Sequence, residues 1–115
     1  MAFTAPQFST LHTVEELVEV LNNEWKVNSI ESGHSCYYQV EAKVGRKYTK
    51  LMTYLVSGGV RQRGRSAYMF VDNTTGACYK PASVKAPAKG IRCYIDQLAD
   101  HPEACDQYGS FLYRR

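Results

Sequence analysis

Apolar and polar positions change period along this chain, and the changes mark its elements. Val14, Leu17, Val18, Leu21 and Trp25 recur three or four residues apart, with Glu15, Glu19, Asn22 and Asn23 between them. That spacing makes one apolar stripe on a helix. Thr13, followed three residues later by Glu16, fits a capping box, and Glu15 and Glu16 suit the positive end of the helix dipole. The pattern predicts a helix over 14–26, an extended lead-in over 1–12, and a loop over 27–34. From Cys36 the period becomes two. Cys36, Tyr38, Val40, Ala42 and Val44 alternate with Tyr37, Gln39, Glu41 and Lys43, as on a half-buried strand. Gly45 and Arg46 turn the chain into a second strand over 48–56.

Further on, 57–65 reads as a loop, because its three glycines free the backbone and Arg61, Arg63 and Arg65 give it charge. A third strand over 66–72 sets Tyr68 and Phe70 on one side and Ala67, Met69 and Val71 on the other. Apolar residues on both sides suit a central strand. Asp72 to Gly76 is a strong turn, and 77–80 a fourth strand that Pro81 ends or confines to an edge. Residues 81–92 are irregular, with room for one helical turn over 83–88 that would align the basic positions 85, 89 and 92. A short helix follows over 94–100, then a last strand or packed tail over 108–113. A chain of 115 residues is of single-domain size. The fold expected is α+β: a single domain with an N-terminal helix packed on a four- or five-stranded antiparallel sheet.

Charge sharpens this picture. From Lys43 to Arg92 there are eleven Lys and Arg against one acid, Asp72, while residues 1–42 sum to −5 and 93–115 to −2. The overall +3 therefore conceals a basic island of +10, a field that attracts phosphate. The island resolves into two loop clusters and the strand residues Lys43, Arg46, Lys47 and Lys50. One loop carries Arg61, Arg63 and Arg65. The other carries Lys80, Lys85, Lys89 and Arg92, with Ser83 as a hydroxyl donor. Arginines on a glycine-rich loop can clamp phosphates and stack on bases. A solvated hairpin and a loop that covers one sheet face are the structural alternatives. Tyr37, Tyr48, Tyr54, Tyr68, Phe70 and Tyr79 interleave with these cations. An aromatic sheet face with a basic rim suits single strands, although core packing accounts for most of these rings. Neither a P-loop nor an RNA recognition motif is present.

Cys36, Cys78, Cys93 and Cys105 contain no Cys-x-x-Cys pair, and the three histidines do not supply one. No metal site and no cofactor is expected. Free thiols in a reducing cytoplasm fit the absence of a basic-then-apolar leader, with Cys36 and Cys78 as small core residues. No apolar run approaches the roughly 20 residues of a membrane span. His34, Ser35 and Cys36 invite a nucleophile reading, yet Ser35 and Cys36 point to opposite faces of a strand. No catalytic set emerges.

The stretch Asp72-x-x-x-Gly76-x-x-Tyr79-Lys80-Pro81-Ala82-Ser83-x-Lys85-x-Pro87-Ala88-Lys89-x-x-Arg92, with Tyr108-Gly109 and Phe111-Leu112-Tyr113-Arg114 beyond it, resembles a group of short, poorly characterised viral and phage-type proteins. The likeness spans about 48–114. Val84 stands where that group usually has Trp, and Cys93-Tyr94 where it has Gly-Asn. The resemblance implies a viral accessory protein and brings no catalytic residues. Three functions fit: a non-catalytic nucleic-acid binder acting through phosphate; an anti-defence protein that sequesters a phosphorylated nucleotide or inhibits a host nuclease; and a virion or assembly protein that forms homo-oligomers.

Overall fold

The computed structural model describes residues 5–107, 109 and 112, with side chains from residue 10 onward. Helix α1 runs Ala5–Glu31, 27 residues, well beyond the predicted 14–26. Residues 5–12 of the expected lead-in are helical, 1–4 lie outside the described residues, and Thr13–Glu16 is mid-helix rather than a cap. The reason lies in the buried face. Val14, Leu17, Leu21 and Trp25 are buried as expected, but the same side continues through Thr10 and Ser29. Two buried polar residues hide the ends of an apolar stripe. The C-terminus closes in a Schellman motif: His34 N–H donates to Ser29 O (2.8 Å) and Gly33 N–H to Ile30 O (3.0 Å). Gly33 takes the left-handed conformation this ending requires, with φ 80°.

Among the described residues, six strands form one antiparallel sheet: β1 (Cys36–Val44), β2 (Tyr48–Ser57), β3 (Val60–Arg61), β4 (Ser66–Asp72), β5 (Ala77–Tyr79) and β6 (Cys93–Tyr94). The order is β1-β2-β4-β5-β6, with β3 pairing the far end of β2. Helix α2 (Ile95–Asp100) and a 3-10 turn at Pro102–Ala104 follow. The α+β architecture is as expected, with one helix laid on an antiparallel sheet. The two extra strands, β3 and β6, are two residues long. β3 folds half of the expected 57–65 loop back onto β2.

Strand β4 is central, between β2 and β5, but its two faces are not the alternating ones. The register shifts between Leu51 and Met52: Leu51 pairs Met69 and Met52 pairs Ala67, leaving Tyr68 without a partner on β2. Such a bulge reorients the extra side chain. Tyr68 joins the helix-side core with Met69, meeting Trp25 edge-on at 5.7 Å, while Phe70 stays opposite and packs edge-on against Tyr48. Tyr68 and Phe70 thus lie on different sides, contrary to strict alternation.

The core between α1 and the sheet joins Leu17, Leu21 and Trp25 to Val40, Leu51, Met69 and Val71. Trp25 Nε1–H donates to Cys105 O (3.0 Å) and Tyr68 O–H to Asp106 O (2.7 Å), so the C-terminal segment is latched to the core. The predicted strand or tail over 108–113 falls largely outside the described residues; Gly109 and Leu112 are buried. Cys78 is a core residue, whereas Cys36, the first residue of β1, is exposed, its thiol beside the Ser35 and Ser57 hydroxyls rather than in the core. The outer edge of β1 is partly closed by side chains. Asn22 accepts from Val40 N–H (2.7 Å) and donates to Val40 O (2.9 Å), and Gln107 Oε1 accepts from Tyr38 N–H (2.7 Å). Among the described residues, no helix is long and apolar enough to cross a membrane.

Candidate functional site

The sheet face turned away from α1 carries Lys43 on β1, Tyr48, Lys50 and Tyr54 on β2, Phe70 on β4 and Tyr79 on β5, as the strand register requires. Tyr48 lies edge-on to both Phe70 (6.1 Å) and Tyr79 (5.9 Å), forming an aromatic row. Lys47 lies 5.3 Å from the central Tyr48 ring and Lys50 lies 5.9 Å from the Phe70 ring at one end. Phe70 is buried, and Tyr48, Tyr54 and Tyr79 are half-buried. The face is a wall with partly accessible rings, not an open aromatic platform.

Part of this face is covered by the 80–92 segment. It is an irregular closed loop rather than the helical turn allowed by the sequence, so positions 85, 89 and 92 do not align on a helix. Pro81 bridges Pro87, Ala88 N–H donates to Lys80 O (2.8 Å), and Ser83 Oγ accepts from Lys85 N–H and Ala86 N–H (both 3.2 Å). Lys50 Nζ donates to Val84 O (2.7 Å), pinning the loop to the sheet. Val84 is therefore a backbone anchor for the loop.

Lys43, Arg46, Lys47, Lys50 and Lys85 line one cavity of about 380 Å³, together with Tyr48 and Phe70, and among the described residues no carboxylate lines it. Lys43 lies 3.6 Å from Glu41, outside the cavity. The β1–β2 turn holding Arg46 and Lys47 is fixed by Gly45 N–H donating to Tyr48 O (2.9 Å). A Cβ on Gly45 would come within 2.7 Å of that same oxygen, so the turn in this form excludes a side chain. Charge counting flagged these strand and turn lysines but assigned the site to the loops; their convergence depends on the register.

The sequence-predicted loop residues divide. Arg65 and Ser83 line a shared groove of about 270 Å³ with Ser66, Ala67 and Pro81, so the two loops meet. Lys85 belongs to the cationic cavity. Arg63, Lys80, Lys89 and Arg92 line neither. Arg61 is committed to internal contacts. Its guanidinium lies 4.1 Å from the Tyr54 ring centre, donates to Gln39 Oε1 (2.6 Å) and pairs with Glu41 at 3.7 Å. That correction follows from β3, which carries Arg61 onto the sheet face. A hydrogen bond from Tyr54 and the charges of Lys43 and Arg61 hold the Glu41 carboxyl below the usual carboxylate range, against a small opposing effect of burial.

On the far end of the molecule, His34 and Cys36 line a cavity of about 400 Å³ with Ser29, Tyr38 and Gln107. Cys36 Sγ donates to Ser57 Oγ at 3.3 Å, and no hydrogen bond joins it to His34. Cys78 and Cys93 face one another across β5 and β6. Hydrogen bonding from Cys78 lowers the Cys93 pKa, while the same bond and burial raise that of Cys78. Burial pushes the Cys105 thiol up to about 12. Among the described residues, no three His, Cys, Asp or Glu side chains gather as a metal site.

Residues 4–114 match the model of DUF7717, a family of unknown function, and the chain belongs to that family. No curated protein and no solved structure matches it.

Proposed function

We propose that this member of DUF7717 is a non-catalytic accessory protein that binds nucleic acid through phosphate on the helix-free face of its sheet. The observation that supports this most is the cavity of five cations without a carboxylate, beside half-buried tyrosines. Lys43 is partly offset by Glu41 at 3.6 Å, but the cations gathered around the cavity repel one another, and an anion relieves that repulsion. The neighbouring groove with Arg65 and Ser83 extends the same face.

The test is anisotropy of labelled single- and double-stranded oligonucleotides between 50 and 200 mM salt. The affinity should fall steeply with salt, by about 0.9 in log–log slope per phosphate contacted on duplex and about 0.7 on single strand. Arg46→Ala combined with Lys47→Ala should weaken binding and flatten that slope. Salt-independent binding, or none at low salt, would overturn the reading.

A second reading is favoured by size. A cavity of about 380 Å³ falls within the range of small-molecule sites, which suits sequestration of a phosphorylated nucleotide signal by a viral anti-defence protein. Calorimetry with mononucleotides tests it directly, and an absence of heat with nucleoside mono-, di- and triphosphates would remove it.

A further inference from the structure

Asn73 is a buried polar residue in the β4–β5 turn, and its bonds run to the β1–β2 turn rather than its own. Its Nδ2 donates to Gly45 O (2.9 Å), its backbone N–H to Lys47 O (2.9 Å), and its Oδ1 accepts from buried Thr49 (2.6 Å). Three bonds therefore hold residues 45–49 from outside. Arg46 and Lys47 are carried on a backbone whose ordering cost is met during folding, not on contact with a ligand. Lys85 faces them from a loop that is itself anchored, through Lys50 and Val84.

Such a pre-set cluster is more than one internal phosphodiester needs. A diester carries a single charge and has a sugar on each side. A terminal phosphate carries about −1.5 to −2 near neutral pH, has three free acceptor oxygens, and can enter a cavity end-on. We propose that this cavity receives a terminal phosphate, that of a nucleotide or of a strand end, held by Lys43, Arg46, Lys47, Lys50 and Lys85 with Tyr48 beside the sugar or base. The proposal rests on the phosphate-binding reading above and narrows it from a surface to an end.

The experiment compares one 3′- or 5′-labelled single-stranded 12-mer in three forms: with a 5′-phosphate, with a 3′-phosphate, and with neither. ADP and inorganic pyrophosphate serve as competitors. One phosphorylated form should bind at least tenfold more tightly than the bare strand, and pyrophosphate should remove the gain. Lys85→Ala and Arg46→Ala should also abolish it, while Lys26→Ala, on exposed α1, should not. Equal binding of all three forms with a steep salt dependence would overturn the terminal-phosphate site and leave the surface reading standing. Binding of ADP alone would support the site and remove the strand as ligand. A gain that survives both cavity variants would assign the end to another part of the face. No binding of any probe would sink both readings.

Discussion

A single amide side chain, Asn73, joins two turns that are 28 residues apart at Gly45. Asn73→Ala removes a donor and an acceptor and leaves Gly45 O and the Thr49 hydroxyl to find other partners. Unpaired buried polar groups cost about 1–3 kcal/mol each, so the substitution should lower the urea midpoint and also weaken anion binding, which Thr74→Ala, on the exposed side of the same turn, should not do. Glu41 gives a pH signature. Because its folded-state pKa is depressed, its contribution to stability is complete above the ordinary Glu value and is lost as pH falls through the depressed one. The stability gap between wild type and Glu41→Gln should therefore be present at neutral pH, small because the group is largely solvated, and vanish in acid; a gap that persists there would refute the assignment to the Tyr54 bond and the Lys43 and Arg61 charges. The thiols differ in kind. Exposed Cys36 and half-buried Cys93 should alkylate in the native protein, with Cys78 and Cys105 protected, and Cys78→Ala should shift the pH midpoint of Cys93 alkylation upward by removing its donor. Mass spectrometry of native and unfolded samples reads both.

At the scale of elements, the bounds of β1 and β4 are legible in the sequence to the residue, β1 because its period of two is clear and β4 because a run of large apolar residues leads into the Asp72–Gly76 turn. The ends of α1 are not, since Thr10 and Ser29 occupy its buried face where a reader seeks apolar residues. The bulge beside Tyr68 is equally silent. An alternating run of large residues looks the same whether or not one of them is skipped by its partner strand, and only the demand of Trp25 and Asp106 for that ring decides it. The short strands β3 and β6 exist only by pairing with longer neighbours. Asn22 gives the helix a second task at the sheet edge, where unpaired N–H and C=O groups template association. Asn22→Ala should leave the far-ultraviolet dichroism unchanged and raise the rate of aggregation on mild heating, followed by light scattering; an unchanged rate would mean that α1 shields the edge by bulk alone.

Over the whole molecule the charges separate by layer. Glu15, Glu16, Glu19, Glu24 and Glu31 are exposed on α1, while the cations gather on the sheet face turned from it. The sequence revealed this polarity as an acidic start and a basic middle, but not which cations would meet. Lys85, and the groove of Arg65 and Ser83, were visible as loop chemistry. The stronger cluster at 43–50 was not, because it needs a hairpin, a register that sets Lys43 opposite Lys50, and Asn73 from the β4–β5 turn. Arg61 was misplaced for the converse reason, since pairing with β2 commits its charge to Glu41 and Tyr54.

The bond from Trp25 to Cys105 spans 80 residues and ties the first element to the last. Its consequence is kinetic. Contacts this distant in sequence form late, after the loop between them has closed. Trp25 is the chain's single tryptophan, so its emission reports on the docking of the helix on the sheet and on that last closure rather than on helix formation. In stopped-flow refolding, helical ellipticity should recover before the indole signal, and a chain cut before Cys105 should keep the helix signal while the emission of Trp25, deprived of its acceptor but still packed on Tyr68, shifts from that of the full chain.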